Sequence, residues 1–333
     1  MLSYLDLTTT DPAWNLAVEE YVFDQLPKDR MYVMLWQNDH AIIIGKHQNT
    51  LAEINESYVK EQGIRVVRRL SGGGAVYHDM GNLNFTVIAD AQGDGLDFGR
   101  FCDMVIRALA KAGVQAERNG RNDMTIDGKK FSGNAQYLRQ GRVMHHGTIL
   151  FDSNASVLAN ALKVDEAKIQ AKGVKSVRSR VTNVRPCLPV DMTLPQFRQV
   201  LLDTILEDEP GEEYILTDKD LEVVEKLKKD RYDTWEWNYG HSPECTLHKK
   251  ARVEGCGTVE AFITLREGKI SQIVFKGDFF GVSDPEQLAS QLIGCRPDRA
   301  SLEERLSQTE VSRYFMGLTA PQLLDILGGN ANG

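Results

Sequence analysis

The stretch 120-GRNDMTIDGKKFSGNAQ-136 decides the fold. Asp127-Gly128 between two short alternating runs marks a two-residue hairpin turn, whose central residues both need positive φ. With the turn fixed, Ile126 pairs with Lys129 and Thr125 with Lys130; continuing the ladder pairs Met124 with Phe131 and Asp123 with Ser132. Cross-strand partners share a face. One face then carries Met124, Ile126 and Phe131, with Lys129 at its turn end. The other carries Asp123, Thr125, Lys130 and Ser132. A carboxylate, an amine and two hydroxyls at close quarters can hold Mg²⁺, a phosphate and a reacting carbonyl. The plain alternative is a half-exposed hairpin with a solvated polar face. Of the two adjacent lysines, the pairing selects Lys130 for the polar face.

Working outward, Asp11-Pro12 reads as the N-cap and first position of a helix with Trp14, Ala17, Val18, Tyr21 and Val22 at helical spacing. Residues 31–36, 41–44, 84–89 and 143–151 read as strands, and 53–62 as a helix ended by Gly63. Asp97 caps a further helix with the stripe Phe98, Phe101, Cys102, Val105 and Leu109, stopped by Gly113. Strands and helices without strict alternation, together with a hairpin, predict an α/β chain of the α+β type with a mixed or antiparallel sheet. Helices are expected near 194–206 and 218–230. The polar, turn-rich run DTWEWNYGHSPECTLHKKAR then places a domain boundary near 245–250. Beyond it, 257–265 and 269–275 flank Glu267-Gly268 as a second hairpin, with helices near 284–292 and 298–307. Two domains are expected: residues 1–245, and a small C-terminal α/β domain over 250–333.

The 333 residues carry 39 Lys and Arg against 47 Asp and Glu, a net charge of −8. That balance argues against a nucleic-acid or anionic-membrane binder. Five irregularly spaced cysteines argue against a disulfide framework and for a reducing, cytoplasmic setting. The opening MLSYLDLTTTDPAW has no basic segment followed by an apolar core, and no apolar run is long enough to span a membrane.

Three more stretches carry chemistry. In 68-RRLSGGGAVYHD-79 three glycines follow two arginines. The Walker ending Gly-Lys-Ser/Thr is missing, and Tyr77 stands where the last Rossmann glycine belongs. What remains is bare backbone whose N–H groups can face an anion, beside guanidinium groups that fix a carboxylate or phosphate. A surface turn is the alternative. In 145-HHGTILF-151 strand alternation lets only one of His145 and His146 face such a site. Residues 168–185 hold six basic side chains and no acid, which fits a segment that closes on a polyphosphate better than a nucleic-acid surface, because aromatics are missing. Cys245-x-x-His248 with Cys256 lacks a fourth zinc ligand.

Taken in order, RRLSGGGAVYHD, GRNDMTIDGKKFSGNAQ, HHGTILFD and KGVKSVRSRVTN, with PAWNLAVEE before them and TWEWNYG after, resemble the lipoate–protein ligase A family over nearly the whole chain. The resemblance implies a mixed-sheet catalytic domain of the biotin/lipoate ligase kind with a C-terminal accessory domain. It implies that (R)-lipoate and ATP become lipoyl-AMP and pyrophosphate, with Mg²⁺ as cofactor. The lipoyl group then passes to a lysine on lipoyl domains of 2-oxoacid dehydrogenase complexes or on the glycine cleavage H protein. No nucleic-acid or membrane partner is implied. By the same resemblance Lys130 is the catalytic lysine, touching acyl carbonyl and phosphate. Arg69, Ser71, Gly72, Gly73 and His146 line the lipoate. Gly74, Ala75, Val76, Tyr77, Asn122 and Asp123 serve the nucleotide together with Arg69 and Lys130, and Asp123 serves the metal. The segment KGVKSVRSRVTN covers the adenylate. Two rivals share the scaffold. An octanoyltransferase or lipoyl amidotransferase needs a nucleophilic cysteine, and none occurs between Cys102 and Cys187. A non-catalytic lipoyl-ligand-binding module would have no use for Lys130 and Asp123 on one face.

Overall fold

The strands dictate the architecture. In chain order they are β1 (Leu2–Asp6), β2 (Met31–Trp36), β3 (Ala41–Ile44), β4 (Arg65–Arg68), β5 (Val76–His78), β6 (Asn82–Asp90), β7 (Glu117–Asn119), β8 (Asp123–Ile126), β9 (Lys129–Arg139), β10 (Arg142–Leu150), β11 (Gly211–Glu213), β12 (Leu247–Val253), β13 (Gly257–Arg266) and β14 (Lys269–Gly277). The computed structural model describes residues 2–91, 93, 96–162, 181–239, 247–266 and 268–328. The basic run 168–180 and Cys245 lie outside the described residues. Among those described, no helix is long and apolar enough to cross a membrane.

The chain divides into two units, the first made of Met1–Ile44, Thr50–Leu70 and Ala75–Tyr239. Its main sheet has the order β11-β1-β2-β6-β10-β9-β8-β7. β1 runs parallel to β2 and β11; the pairs from β2 to β7 are antiparallel. The expected mixed sheet is therefore present. β6 is buried along nearly its whole length, so both faces of the sheet are covered. One face, with Val33, Leu35, Leu83, Phe85, Val87, Val143 and Ile149, packs under helices Gly99–Lys111 and Leu194–Asp208. The other, with Tyr32, Met34, Trp36, Ile88 and Met144, meets helix Pro12–Asp24 and a small sheet of order β4-β3-β5. Fully burying each such apolar side chain is worth about 1.5–3 kcal/mol.

Helix Pro12–Asp24 follows its cap, whereas helix Gly99–Lys111 has Phe98 rather than the expected Asp97 at its N-cap. Asp11 accepts hydrogen bonds from Ala13 N and Trp14 N, and Pro12 takes the first helical position. At the far end of this helix the wholly buried Arg142 donates to the carbonyls of Phe23 and Leu26. The apolar stripe expected after Asp97 is found, with Phe101, Cys102, Val105, Ala108 and Leu109 buried. The single helix expected over 53–62 is two short ones, Thr50–Glu53 and Glu56–Glu61. Asn55 interrupts them and caps the second by accepting from Tyr58 N.

The 120–136 hairpin turns where expected, with Asp127 at φ 50° and Gly128 at φ 73°. Ile126 faces Lys129 and Thr125 faces Lys130, as the turn requires. Then the ladder slips: Met124 lies opposite Ser132 and Asp123 opposite Gly133. Phe131 is the extra residue, a β-bulge. The bulge keeps both Phe131 and Met124 in the core, each fully buried. Ser132 consequently leaves the face carrying Asp123 and accepts a hydrogen bond from Asn134 Nδ2 at 3.3 Å. The expected grouping of Ser132 with Lys130 is thereby corrected.

The second unit comprises Gly45–Asn49, Ser71–Gly74 and Gly240–Gly333. β12, β13 and β14 form an antiparallel sheet, and helices Pro285–Leu292, Arg299–Leu306 and Ala320–Gly328 contribute to the apolar core beside it. β12 and the last helix were not expected from the sequence. Gly277 N donates to His47 O at 2.8 Å and Gly73 N to Phe279 O at 3.2 Å. A Cβ on Gly72 would stand 2.4 Å from Phe279 O, which accounts for one of the three glycines. His248 is bonded to Glu260 and Cys256 is buried in the core, so neither is arranged as a zinc ligand.

Gly128 sits in the left-handed region with nothing within 4 Å of the position a Cβ would take. Gly128→Ala is expected to destabilise the protein by about 1–2 kcal/mol through backbone strain alone. Urea unfolding should show a lower midpoint at unchanged slope.

Candidate active site

Pairing across β9, β10, β6 and β2 lines up two rows on the sheet face turned toward helix Pro12–Asp24. The first row is Ala135, His146, Thr86 and Met34. The second contains Thr148, Asn84 and Trp36, and Gly133 joins it through its N–H, which donates to Thr148 Oγ1 at 3.3 Å. Neighbours in such rows stand about 5 Å apart.

Lys130 and Asp123 extend the second row. Their Nζ and Oδ1 atoms are 2.6 Å apart, and both side chains keep about a third of their surface in solvent, 38% and 30%. A Cβ on Gly133 would stand 2.9 Å from that Nζ, so the amine lies flat over the glycine. The bulge and Gly133 together let Lys130 fold back to the carboxylate, and Thr125 stands on the same face. Asn122, the neighbour of Asp123, spends its amide on Asn134 O at 2.6 Å.

The first row is electrostatic. His146 Nδ1 is 3.0 Å from Glu19 Oε1, Thr86 donates to the same oxygen, and Trp36 Nε1 donates to Thr86 Oγ1 at 2.9 Å. Glu19 is 1% exposed. A buried carboxylate persists only when its lone pairs are taken up in this way. Arg69 is also buried, with Nη1 donating to Ile43 O at 3.1 Å. Burial lowers its pKa to about 10 while Glu19 acts in the opposite direction, so it stays cationic at neutral pH. Its neighbour Arg68 does not join the site: it donates to Trp237 O, Thr50 Oγ1 and Asn238 O. The two arginines expected to act together have separate duties. His145 points to the opposite face, among Phe85, Phe98 and Phe101, as strand alternation requires.

Several buried polar atoms have no partner among the described residues: His78 Nε2, Asn82 Oδ1, Asn84 Nδ2 and Thr125 Oγ1. Leaving such an atom unpaired costs about 1–3 kcal/mol. Burial first, then the charges of Arg69 and His146, pushes the His78 pKa down to about 3, so its ring is neutral. Its Nδ1 is 3.1 Å from Asn38 Nδ2 and accepts a hydrogen bond from that amide; Nε2 therefore carries the ring hydrogen. Asn82 Nδ2 donates to Asn84 Oδ1 at 2.9 Å, which leaves one orphan acceptor and one orphan donor between them. The orphan donors among them, His78 Nε2, Asn84 Nδ2 and the Thr125 hydroxyl, fit a ligand rich in charged oxygens. The sequence reading did not select His78, Asn82, Asn84 or Glu19.

Of the other expected site residues, Ala75 and Val76 are half-buried in the first unit, and Tyr77 is buried with its hydroxyl 3.0 Å from His40 Nδ1. Ser71, Gly72, Gly73 and Gly74 belong to the second unit. Among the described residues no three His, Cys, Asp or Glu side chains gather to hold a metal. One carboxylate, Asp123, fits only a cation that brings most of its ligands with it, as Mg²⁺ does on phosphates.

The fold is that of a group-transfer enzyme family: the chain belongs to the lipoyl protein ligase A/B family, whose catalytic domain matches residues 11–206. Residues 242–327 match the bacterial lipoate protein ligase C-terminus. The lipoate-protein ligase LplJ of Bacillus subtilis is 44% identical over 321 residues, covering 95% of this chain and 97% of its own. A crystal structure of P. falciparum LipL1 in complex with lipoate superposes with a TM-score of 0.76 at 22% identity, covering 98% of this chain and 97% of that one, and shows the shared fold. A lipoate-protein ligase A bound with ATP has a TM-score of 0.61 at 28% identity, over 72% of this chain and 98% of that one.

The neutral, buried histidines set a pH dependence. Burial also pushes His145 down to about 3, with His146 adding to the effect. The unfolded chain, near the ordinary value of 6.5, then binds more protons than the folded one between about pH 3 and 6.5. Stability contributed by these rings is complete above pH 6.5 and is lost progressively as pH falls toward 3. Urea unfolding from pH 7 to 4 should show this loss, and His145→Gln, less stable at neutral pH, should show a shallower slope.

Proposed function

We propose that this chain is an ATP-dependent lipoate–protein ligase that activates (R)-lipoate as lipoyl-AMP and transfers the lipoyl group, in amide linkage, to a lysine of a lipoyl domain. One observation carries the reading: the Lys130 amine, held by Asp123 over Gly133, shares a strand face with the orphan polar atoms Asn82 Oδ1, Asn84 Nδ2 and Thr125 Oγ1. In the first step a lipoate carboxylate oxygen attacks the α-phosphorus of ATP and pyrophosphate leaves. In the second the acceptor amine attacks the acyl carbonyl and AMP leaves. The first step brings two anions together, so fixed positive charge at the meeting point lowers its barrier.

Placement and family membership support the following roles. Lys130 is the catalytic residue, donating to the carboxylate and to the α-phosphate. Arg69 serves both substrates as a buried cation, and His146, fixed by Glu19, lines the lipoate with Ser71, Gly72 and Gly73. Gly74, Ala75, Val76 and Tyr77 offer backbone to the nucleotide beside Asn122 and Asp123. When bound, Mg²⁺ would offset phosphate charge at Asp123. We assign residues 1–245 to catalysis and 250–333 to the accessory domain. The acceptors inferred are lipoyl domains of 2-oxoacid dehydrogenase complexes and the glycine cleavage H protein. The thiols of Cys102, Cys187 and Cys295 are free, which supports a cytoplasmic setting.

A thioester-forming transferase is disfavoured by a specific observation. Cys102 is buried on its helix, and burial pushes its thiol up to about 12, far from a thiolate at neutral pH.

Lipoate-dependent ATP–pyrophosphate exchange tests the reading. Lys130→Ala is expected to lower the exchange rate about 10²–10³-fold, the usual effect of removing one preorganised charge. Lys129→Ala, exposed beside the turn, should leave it within about twofold. Equal losses would show that the wrong lysine was chosen.

A further inference from the structure

After β10 the chain leaves the site sheet at Leu150 and returns at Val181, and the described ends of this excursion are fastened together. The Asn183 carboxamide copies a strand pairing: Oδ1 accepts from Ser153 N at 3.1 Å and Nδ2 donates to Ser153 O at 3.0 Å. Backbone bonds continue the seam, Val184 N to Leu150 O at 2.8 Å and Arg185 N to Phe151 O at 3.0 Å. The Ser153 side is itself anchored. Asp79, the last residue of RRLSGGGAVYHD, accepts from Gly81 N at 2.9 Å and Asn154 N at 2.8 Å. Gly81 O takes the N–H groups of Phe151 and Asp152.

The fastened strand holds the backbone of Lys130. Thr182 N donates to Lys130 O at 2.9 Å, and Val181 lies beside Lys130 in a parallel bridge. This support comes where β9 needs it, because Phe131 interrupts the ladder with β8 one residue further on. A lysine amine sits at the end of four rotatable bonds, so its position is only as well defined as its backbone and its partner. We infer that Asn183 is a positioning residue: by tying 181–184 to Ser153 it fixes the Lys130 main chain, and through it the amine. The inference rests on the ligase reading of Lys130.

The test is a double-mutant cycle on lipoate-dependent ATP–pyrophosphate exchange. Asn183→Ala removes both bonds to Ser153 and is expected to lower kcat about tenfold with KM for ATP and lipoate little changed, the scale of a misplaced catalytic group. In a Lys130→Ala background the same change should cost nothing more. Asn183→Asp, which still accepts from Ser153 N, should recover part of the rate, and it carries the cycle if the alanine variant fails to fold. Amide exchange at Thr182 should quicken in Asn183→Ala, since its N–H is the one bonded to Lys130 O. An unchanged kcat, or an equal loss on top of Lys130→Ala, overturns the positioning role. Full exchange activity in Lys130→Ala alone overturns the ligase reading of Lys130 and this inference with it.

Discussion

Every property of the site depends on one constraint: the central strands of the main sheet are covered on both faces. A strand in that position has no solvent side on which to place polar groups. Asn82, Asn84, Thr86, His145 and His146 are nevertheless carried by β6 and β10, nearly or wholly buried. Each must be satisfied by a neighbour or left for something that enters. His145 is satisfied, by Gln136 and Asn134 among three phenyl rings, and belongs to the core. Asn82 and Asn84 satisfy each other only halfway.

Charge follows the same division. Glu19 and Arg69 bring formal charge into a region with little water, where interactions are stronger than at the surface. Lys130 and Asp123 remain partly solvated at the edge. The partly exposed amine can give up its carboxylate partner for a phosphate at small loss, because surface pairs are worth about 1 kcal/mol or less.

The sequence made the hairpin legible as far as local geometry reaches. A two-residue turn dictates its nearest pairs, so Lys130 was separable from Lys129. Nothing in the composition marks Phe131 as a bulge, and one extra residue exchanges the two faces, so Ser132 was misplaced. Glu19 does not stand out in the sequence because an acid beside an apolar stripe ordinarily faces solvent, whereas helix Pro12–Asp24 is buried nearly all round. Asn82 reads as lying before the strand, since asparagine in a run usually signals solvent or a turn. Arg68 and Arg69 look alike as neighbours; only the fold shows one guanidinium spent on backbone near Trp237 and the other buried beside Glu19.

The second unit is assembled from three separate pieces of chain. Gly45–Asn49 and Ser71–Gly74 emerge from the ribosome early, while the residues they bond, Gly277 and Phe279, are made near the end. Vectorial synthesis therefore yields a first unit with two loops that still lack the partners of His47 O and Gly73 N. Contacts so distant in sequence form slowly, because a long chain must close before they are rewarded. Nascent chains stalled before β14 would carry the glycine run without its ladder to Phe279, and a fragment beginning after Tyr239 would lack two of its own segments. For such a protein, residues made after β13 complete what residues 45–74 began.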